Sequence, residues 1–274
     1  MKSIEFSPIA KQHIADVAQV AGYLWHRGWA VKNGGNISVD MTGEVDLCTS
    51  DLNQFPYKQL DHTYPDLSQV VLLTTGAGTR MRDVENNIFQ NVCIVRISND
   101  GTGYHIIHDE VLNSNLIPTS ELPTHLAIHR LLKKRGGIQK AVLHTHPDEL
   151  IALTLIPGFH DESRLNKILL SVQPEAVIAN PTGVGLVQYI LPGTEQLAEK
   201  TVASFQVHTV IVWGKHGCLA LGKDVQEAFD LIDVTNKSAQ LFFLCREAGY
   251  TPQGLTEQQI EELKKKFWFN SRTD

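Results

Sequence analysis

The chain contains few cysteines and no long apolar run. Its 274 residues include four cysteines, Cys48, Cys93, Cys218 and Cys245, which lie far apart and form no CxxC pair. This pattern is typical of reduced thiols rather than of a disulfide framework, so we expect a cytoplasmic protein. Residues 1–8 lack the apolar stretch of a secretory signal, and no later segment is apolar for long enough to span a bilayer. We therefore expect no membrane as a partner.

The chain also lacks an excess of basic residues. It has 24 lysines and arginines against 30 acidic residues, which gives a formal net charge of -6. This balance gives no electrostatic reason to expect a nucleic acid or an anionic membrane as partner. An anionic substrate must therefore be bound by local donors.

The apolar pattern predicts one α/β domain over residues 1–274, in which helices flank a mixed or antiparallel central sheet. No internal repeat, low-complexity tract or linker-like stretch divides the chain. Helices are expected in an opening amphipathic segment that ends near Gly28, at residues 122–134 before Gly136-Gly137, and at residues 224–248 before Gly249. Strands are expected at residues 37–39, 69–75, 92–98, 103–107, 141–143, 176–178 and 209–213.

A histidine pair, His144 and His146, directly follows the apolar strand predicted at residues 141–143. Because strand side chains alternate, imidazoles at i and i+2 project from one face and can grip a metal ion. His216, in a glycine-flanked turn after another predicted strand, is the best candidate for a third ligand. Three neutral imidazoles suit Zn²⁺ with an open position for water or substrate. The alternative is a pair of hydrogen-bonded histidines at a strand end.

A second histidine pair lies on the helix predicted at residues 122–134. His125 and His129 are four residues apart and share a helix face, a spacing that resembles the H-E-x-x-H motif. The second position is Leu126, however, so the glutamate that acts as general base in those metalloproteases is absent. We expect surface or packing roles for both histidines. Cys218 is expected to be a small buried thiol rather than a metal ligand.

The run Thr119-Ser120-Glu121 combines two hydroxyls and a carboxylate at a predicted helix start. In one interpretation Thr119 or Ser120 is the N-cap, and Glu121 favours the helix dipole from the first turn. In the other, free amides and hydroxyls bind phosphate, and Glu121 moves a proton beside a Lewis acid. The two interpretations are compatible.

Two glycine-rich turns offer backbone amides to an anion. They are Asn33-Gly34-Gly35-Asn36, before the strand at residues 37–39, and Gly76-Ala77-Gly78, after the strand at residues 69–75. Such turns can form phosphate-binding nests. Asparagine amides can add hydrogen bonds to a phosphate or can simply stabilise the turn, and both uses fit the sequence.

Taken together and in this order, these motifs resemble the class II aldolase/adducin family. The resemblance extends from the opening helix to the last long helix. Inside the family it is closest to members that split L-rhamnulose 1-phosphate into dihydroxyacetone phosphate and L-lactaldehyde. The closer resemblance rests on Pro118-Thr119-Ser120-Glu121-Leu122-Pro123, Gly183-Val184-Gly185, Leu191-Pro192-Gly193-Thr194 and the runs at residues 231–233 and 237–240.

The resemblance implies a homotetramer with one Zn²⁺ per subunit and a phosphorylated ketose as substrate. Glu121 matches the acid/base residue of the family, and Glu175, in Pro174-Glu175-Ala176, matches a second functional glutamate. The implied metal ligands are His144, His146 and His216. The residues implied for phosphate binding are Asn33, Gly35, Asn36, Gly76, Thr119 and Ser120.

The chemistry of aldol cleavage also favours a metal. Cleavage leaves an enediolate, whose negative charge needs a metal ion or a lysine Schiff base. A reactive lysine must be desolvated in a pocket, whereas the candidate lysines lie in polar surroundings or beside glycine. Those lysines are Lys133, Lys134, Lys140 and Lys215.

Three other functions remain open from the sequence. A related sugar-phosphate 4-epimerase would use the same metal chemistry, but such relatives usually have aspartate at the position of Glu121. An aldolase for L-fuculose 1-phosphate would differ only in substrate stereochemistry. A non-enzymatic adducin-like binding module would lack the histidines, whereas all three are present. Ala77 departs from the family pattern, which commonly has a serine there that donates to phosphate.

Overall fold

The computed structural model describes residues 4–47, 51–108, 112 and 115–269. Its strands are β1 (Ile4–Phe6), β2 (Asn36–Asp40), β3 (Val45–Leu47), β4 (Tyr57–Gln59), β5 (Val71–Thr75), β6 (Val92–Ile97), β7 (Gly103–Ile107), β8 (Ala141–Thr145), β9 (Gly185–Val187), β10 (Val210–Trp213) and β11 (Gly217–Gly222). Its helices are α1 (Pro8–His26), α2 (Met81–Asn86), α3 (Leu122–Arg135), α4 (Asp148–Leu155), α5 (Glu162–Leu169), α6 (Pro174–Ala179), α7 (Glu195–Phe205), α8 (Val225–Glu247) and α9 (Glu257–Lys264). In the described part of the chain, no helix combines the length and apolar character that crossing a bilayer requires.

The predicted α/β fold class with a mixed central sheet is confirmed. Nine strands form one sheet in the order β4-β7-β6-β5-β2-β8-β11-β10-β9, and β1 pairs with β3 in a separate ribbon. Strands β2, β5, β6 and β7 pair antiparallel with each of their neighbours, and β8 pairs antiparallel with β2, whereas β9 and β10 run parallel to each other. The predicted hairpin around Asn99-Asp100-Gly101-Thr102 is formed by β6 and β7.

The chain divides into two compact units. The first comprises Met1–Thr145, Leu191–Glu199 and Leu221–Ala228, and the second comprises His146–Ile190, Lys200–Ala220 and Phe229–Asp274. The first unit contains β1 to β8 and α1 to α3. The second contains α4 to α6, α9, β9, β10 and the larger parts of α7, α8 and β11. A single domain over residues 1–274 stays a prediction.

Helix α3 is held against the sheet of the first unit by its apolar face. Leu122 and Leu126 belong to a buried cluster that also contains Leu72 of β5 and Val95 of β6. Complete burial of such a side chain contributes roughly 1.5–3 kcal/mol. The cluster therefore fixes which face of α3 is turned toward the strands.

The two ends of α3 agree with the sequence pattern. Pro123 lies in the first turn, and Gly136 ends the helix in the left-handed conformation at φ 63°. Before the helix, Thr119 N donates to Thr75 O at 3.0 Å. This bond joins the residues that precede α3 to the end of β5.

The strand predicted at residues 176–178 is wrong. These residues belong to α6, which begins at Pro174 and buries Ala176 and Val177. A short apolar run does not distinguish a strand from a buried helix, and proline in the first turn is compatible with a helix start. In the structure the run packs in one cluster with Ile260 and other residues of the second unit, so tertiary packing decides its conformation.

The described cysteines are reduced thiols. They are Cys93, Cys218 and Cys245, while Cys48 lies outside the described residues. Burial raises the pKa of the Cys93 thiol to about 12, and it raises that of Cys218 as well. The prediction of a small buried thiol at Cys218 is confirmed, because its side chain is fully enclosed.

Candidate metal and catalytic site

The structure brings three of the predicted site residues, His144, His146 and His216, together. Their ligand nitrogens all lie within 4.8 Å of one another. His144 is buried near the end of β8, whereas His146 and His216 are half-buried in the turns after β8 and β10. Thr145, between the first two, donates from Oγ1 to Trp29 O at 2.9 Å, as expected for a side chain on the opposite strand face. The three imidazoles form a donor set that can hold a metal ion.

The turn that carries His216 is fixed by contacts that the sequence did not reveal. His216 N donates to Trp213 O at 3.1 Å, and the two rings stack with centroids 5.1 Å apart. Lys215 adopts the left-handed region at φ 63°, which favours glycine. Its N–H donates to Thr154 Oγ1 at 2.8 Å, which holds this strained residue in place. The indole ring and the turn together orient the imidazole.

Glu121 lies beside the histidine cluster. Its Oε2 is 3.7 Å from His144 Nε2, and it accepts a hydrogen bond from Asn36 Nδ2 at 2.9 Å. The side chain is only 13% exposed, so it is largely removed from bulk water. A carboxylate in this position can exchange a proton with a molecule held at the histidines.

The predicted capping role of Thr119 or Ser120 is wrong. Helix α3 begins at Leu122, Glu121 occupies the N-cap position, and no side chain caps the helix. Thr119 Oγ1 instead accepts from Glu121 N at 3.3 Å, and Ser120 is exposed. The start is displaced because Thr119 N pairs with Thr75 O at the end of β5, which keeps the chain extended for longer. The Glu121 carboxylate is thereby committed to tertiary contacts rather than to the first helical turn.

A buried polar chain continues from Asn36 into the protein. His125 Nε2 bonds to Asn36 Oδ1. Ser38 Oγ lies 2.6 Å from His125 Nδ1 and 2.8 Å from His129 Nε2. Both histidines are buried, so of the two expected roles, surface or packing, packing is confirmed, and it involves a specific hydrogen-bond network. In the sequence, the feature that could have indicated this network is the i, i+4 spacing of the two histidines on α3.

Burial keeps these two histidines neutral. It lowers the pKa of His125 to about 3, with a further contribution from nearby His129. It also lowers the pKa of His129 to about 4, although the Asp40 carboxylate acts in the opposite direction. A neutral imidazole has one N–H donor and one acceptor nitrogen, so each ring has a defined direction of hydrogen bonding.

The residues implied for phosphate binding lie in loops at one end of the first unit's strands. Asn33 and Gly35 precede β2, Gly76 follows β5, and Thr119 and Ser120 precede α3. Because β2 is antiparallel to both β5 and β8, its start lies beside the ends of those two strands. An isolated bridge between Gly76 and Pro118 brings the third loop to the same end.

Several glycines in these loops serve the packing of the site. The N–H groups of Gly34, Gly76 and Ala77 donate to backbone carbonyls at 2.8 to 3.0 Å. Gly35 has φ 77°, and a Cβ atom at this residue would lie 2.8 Å from His144 O. Only glycine therefore allows this loop to approach β8 so closely. Phosphate binding by these loops stays a prediction.

Glu175, the second predicted catalytic residue, is exposed in the first turn of α6. Its carboxylate forms no hydrogen bond or ion pair with another described residue. Its functional role stays a prediction.

Comparisons with known proteins agree with this site. A model of the class II aldolase and adducin N-terminal domain family matches residues 15–243. A rhamnulose-1-phosphate aldolase from Bacteroides thetaiotaomicron is 39% identical over 269 residues, which cover 97% of this chain and 98% of that protein. A protein of the same name from Yersinia pseudotuberculosis serotype IB is 32% identical over 247 residues, 89% of each chain. The crystal structure of a sugar-phosphate aldolase from Thermotoga maritima has a TM-score of 0.75 and 31% identity, and the match covers 88% of this chain and 98% of that chain. The chain belongs to the class II aldolase and adducin family, and within it to the aldolases, which are carbon–carbon lyases.

Proposed function

We propose that this enzyme is a zinc-dependent rhamnulose-1-phosphate aldolase, which reversibly splits L-rhamnulose 1-phosphate into dihydroxyacetone phosphate and L-lactaldehyde. The observation that carries the proposal is the Glu121 carboxylate, 3.7 Å from His144 in the three-histidine cluster. The name of the 39% identical relative from Bacteroides thetaiotaomicron supports the choice of substrate.

The three histidines fit zinc. Their nitrogens lie within 4.8 Å of one another, and catalytic zinc sites commonly have three protein ligands and an open position. One imidazole is buried and two are half-buried, so the cluster is not fully enclosed. When bound, Zn²⁺ would supply Lewis-acid polarisation of the substrate carbonyl.

Glu121 is the proposed proton carrier. In the cleavage direction the C3–C4 bond of the ketose breaks, and the C4 hydroxyl must lose its proton to become the aldehyde. The C3 carbon of the remaining enediolate must then gain a proton to give dihydroxyacetone phosphate. A single carboxylate oxygen of Glu121 can accept the first proton and return it at C3. The bond from Asn36 Nδ2 at 2.9 Å holds this carboxylate in place.

The phosphate is proposed to lie among the loops before β2, after β5 and before α3. Thr119 Oγ1 accepts from Glu121 N, so its hydroxyl proton is available for an acceptor. Exposed Ser120 and Asn33 offer side-chain donors. Gly35 and Gly76 would contact the anion through their backbone, since the places of their missing side chains face His144 and Leu116. Asn36, at the start of β2, is the last residue of the proposed phosphate site.

The second glutamate, the oligomer and the compartment are also proposals. The family resemblance supports a homotetramer and a catalytic role for Glu175. The reduced thiols of Cys93, Cys218 and Cys245 are in keeping with the cytoplasm. Light scattering coupled to size-exclusion chromatography measures the number of subunits directly, and a monomeric mass would contradict the tetramer.

The decisive experiment follows product release from two stereoisomeric substrates. Purified protein is incubated with L-rhamnulose 1-phosphate or L-fuculose 1-phosphate, and dihydroxyacetone phosphate is measured with a coupled dehydrogenase. We expect faster release from the rhamnulose substrate, with L-lactaldehyde as co-product. A higher kcat/KM for the fuculose substrate would change the assignment to the other stereoisomer. Release from neither substrate would contradict the proposed reaction.

Metal analysis and metal removal in the same samples test the histidine cluster. Elemental analysis should find about one zinc per chain, the stoichiometry of a three-histidine catalytic site. Chelation should abolish activity and added zinc should restore it. Undiminished activity in protein that elemental analysis shows to be metal-free would contradict the zinc assignment.

A further inference from the structure

With Glu121 ionised, the polar chain behind Asn36 has one direction, because a carboxylate accepts hydrogen bonds and cannot donate them. The Asn36 carboxamide faces Glu121 with Nδ2 and faces His125 with Oδ1. A carbonyl oxygen only accepts, so His125 Nε2 must carry the proton and donate. The neutral His125 ring then accepts at Nδ1 from the Ser38 hydroxyl, 2.6 Å away. Because Ser38 has no second proton, His129 Nε2 donates to its oxygen at 2.8 Å.

Glu121 and His125 together hold the Asn36 amide in one orientation. An asparagine side chain can rotate by 180° and exchange its nitrogen and oxygen with little change in shape. The exchanged orientation would place Asn36 Oδ1 against the Glu121 oxygen, where two acceptors meet. It would also place Nδ2 against the His125 N–H, where two donors meet. The Glu121 carboxylate and the His125 N–H therefore oppose the exchange from the two sides of the amide, and His125 thus helps to keep an N–H donor on Glu121.

We infer that His125 is a positioning residue for catalysis, which acts through Asn36 to hold the Glu121 carboxylate beside His144. This inference rests on the proposed role of Glu121 as proton carrier. Ser38 and His129 complete the device by keeping the proton of His125 on Nε2. The main function of Asn36 is then to orient Glu121, and its contribution to phosphate binding is secondary.

The burial of the chain supports this assignment. Ser38 is fully enclosed, and His125 is 1% exposed. Water cannot replace a missing donor readily at such a depth, so loss of the His125 N–H leaves Asn36 Oδ1 without a partner. The lowered pKa of about 3 keeps His125 neutral at the pH of ordinary assays, so the direction of donation is maintained.

Two amide variants separate donation from packing. In His125→Gln, the side-chain nitrogen can reach the place of Nε2 and still donate to Asn36. In His125→Asn, the shorter amide reaches only the place of Nδ1 and meets Ser38 instead. Both variants lose the ring, and their urea unfolding and zinc content are measured to verify a common fold and full metal.

We expect kcat of His125→Asn to fall roughly 10- to 100-fold with KM almost unchanged, the usual range for groups that support an active-site residue. His125→Gln should recover most of this loss. The same two substitutions are then made in a Glu121→Gln background. If His125 acts through Glu121, His125→Asn should add almost no further loss there, because coupled residues are not additive.

Three outcomes are distinct. If Glu121→Gln keeps near-normal kcat, the proposed acid/base role fails, and the inference about His125 fails with it. If Glu121→Gln is impaired but the two His125 variants are equally impaired, His125 is only a packing residue and the inference alone is overturned. An equal loss from His125→Asn with and without the Glu121 carboxylate overturns it as well.

Discussion

The buried histidine His129 couples the stability of the protein to pH. Burial lowers its pKa to about 4 in the folded chain, with Asp40 opposing the shift, whereas an unfolded histidine titrates near 6.5. Between these two values the unfolded chain binds the proton and the folded chain does not. Stability from this residue is therefore complete above about pH 6.5 and decreases as the pH falls toward about 4.

The size of the effect at pH 5 follows from the unfolded pKa. A difference of one pKa unit corresponds to about 1.4 kcal/mol, so about 1.5 units below the unfolded value give about 2 kcal/mol. The result is insensitive to the folded pKa, provided that this value lies below 5. His125, with a pKa lowered to about 3, contributes by the same arithmetic. Together the two histidines should destabilise the fold by about 4 kcal/mol between pH 7 and pH 5.

The assay is urea unfolding of metal-stripped protein at pH 7 and pH 5, at one protein concentration. His129→Gln removes the titrating group and retains an N–H donor for Ser38. The stability lost between the two pH values should be smaller in this variant than in the wild type by about 2 kcal/mol. His62→Gln, at a histidine whose side chain is 52% exposed and lies 3.3 Å from Glu195, is the matched control, and its loss should stay closer to that of the wild type than the loss of His129→Gln does.

Metal-free protein is used throughout, so that zinc binding, which depends on pH, adds nothing to the differences between the variants. The reasoning is refuted if His129→Gln and the wild type lose the same free energy of unfolding between pH 7 and pH 5. It is equally refuted if His62→Gln reduces the pH dependence as much as His129→Gln does.

Three further predictions concern catalysis. Glu121→Gln should lower kcat by roughly 10²- to 10⁴-fold with full zinc and an unchanged fold, and near-normal turnover would remove it from the mechanism. Ala77→Ser should lower KM for the ketose phosphate, because the Ala77 amide already donates to Ile117 O and a hydroxyl adds a new donor; an unchanged KM would place the phosphate elsewhere. Glu175→Gln should lower kcat while changing the free energy of unfolding by less than about 0.5 kcal/mol, since the residue is exposed; unchanged kcat would exclude it as a catalytic group.

The sequence predicted those features that depend on local pattern. Strand alternation and the glycine-flanked turn identified His144, His146 and His216, which the structure brings within reach of one metal ion. Helix α3 ends at Gly136 as expected. In each case the signal lies within a few residues, so no knowledge of tertiary contacts is required. The misassigned strand at residues 176–178 shows the limit of such local patterns. A strand and a helix bury a short apolar run equally well, so the run alone does not distinguish them.

The sequence could not reveal what depends on register between distant segments. Glu121 was recognised as a candidate, but its partner Asn36 lies 85 residues away. The sequence predicts only a surface or packing role for His125, the histidine that orients Asn36. The helical pattern around a histidine does not show which strand that histidine faces. Likewise, the stacking of Trp213 on His216 follows from the conformation of a turn in which Lys215 has a positive φ. A lysine in the sequence does not indicate that conformation.

The spacing of side chains on β2 matches the spacing of side chains on α3. This match explains which residue types form the polar chain. Asn36 and Ser38 are two positions apart on a strand, which places them on one face about 6.6 Å apart. His125 and His129 are four positions apart on a helix, which places them on one face about 6 Å apart along the axis. These two spacings are nearly equal, so a strand of pattern N-x-S can bond in register with a helix of pattern H-x-x-x-H. A one-residue slip of β2 would turn both strand side chains to the other face and would also break the pairing of Asn36 with His144. The register that joins β2 to β8 therefore also determines where α3 presents Glu121.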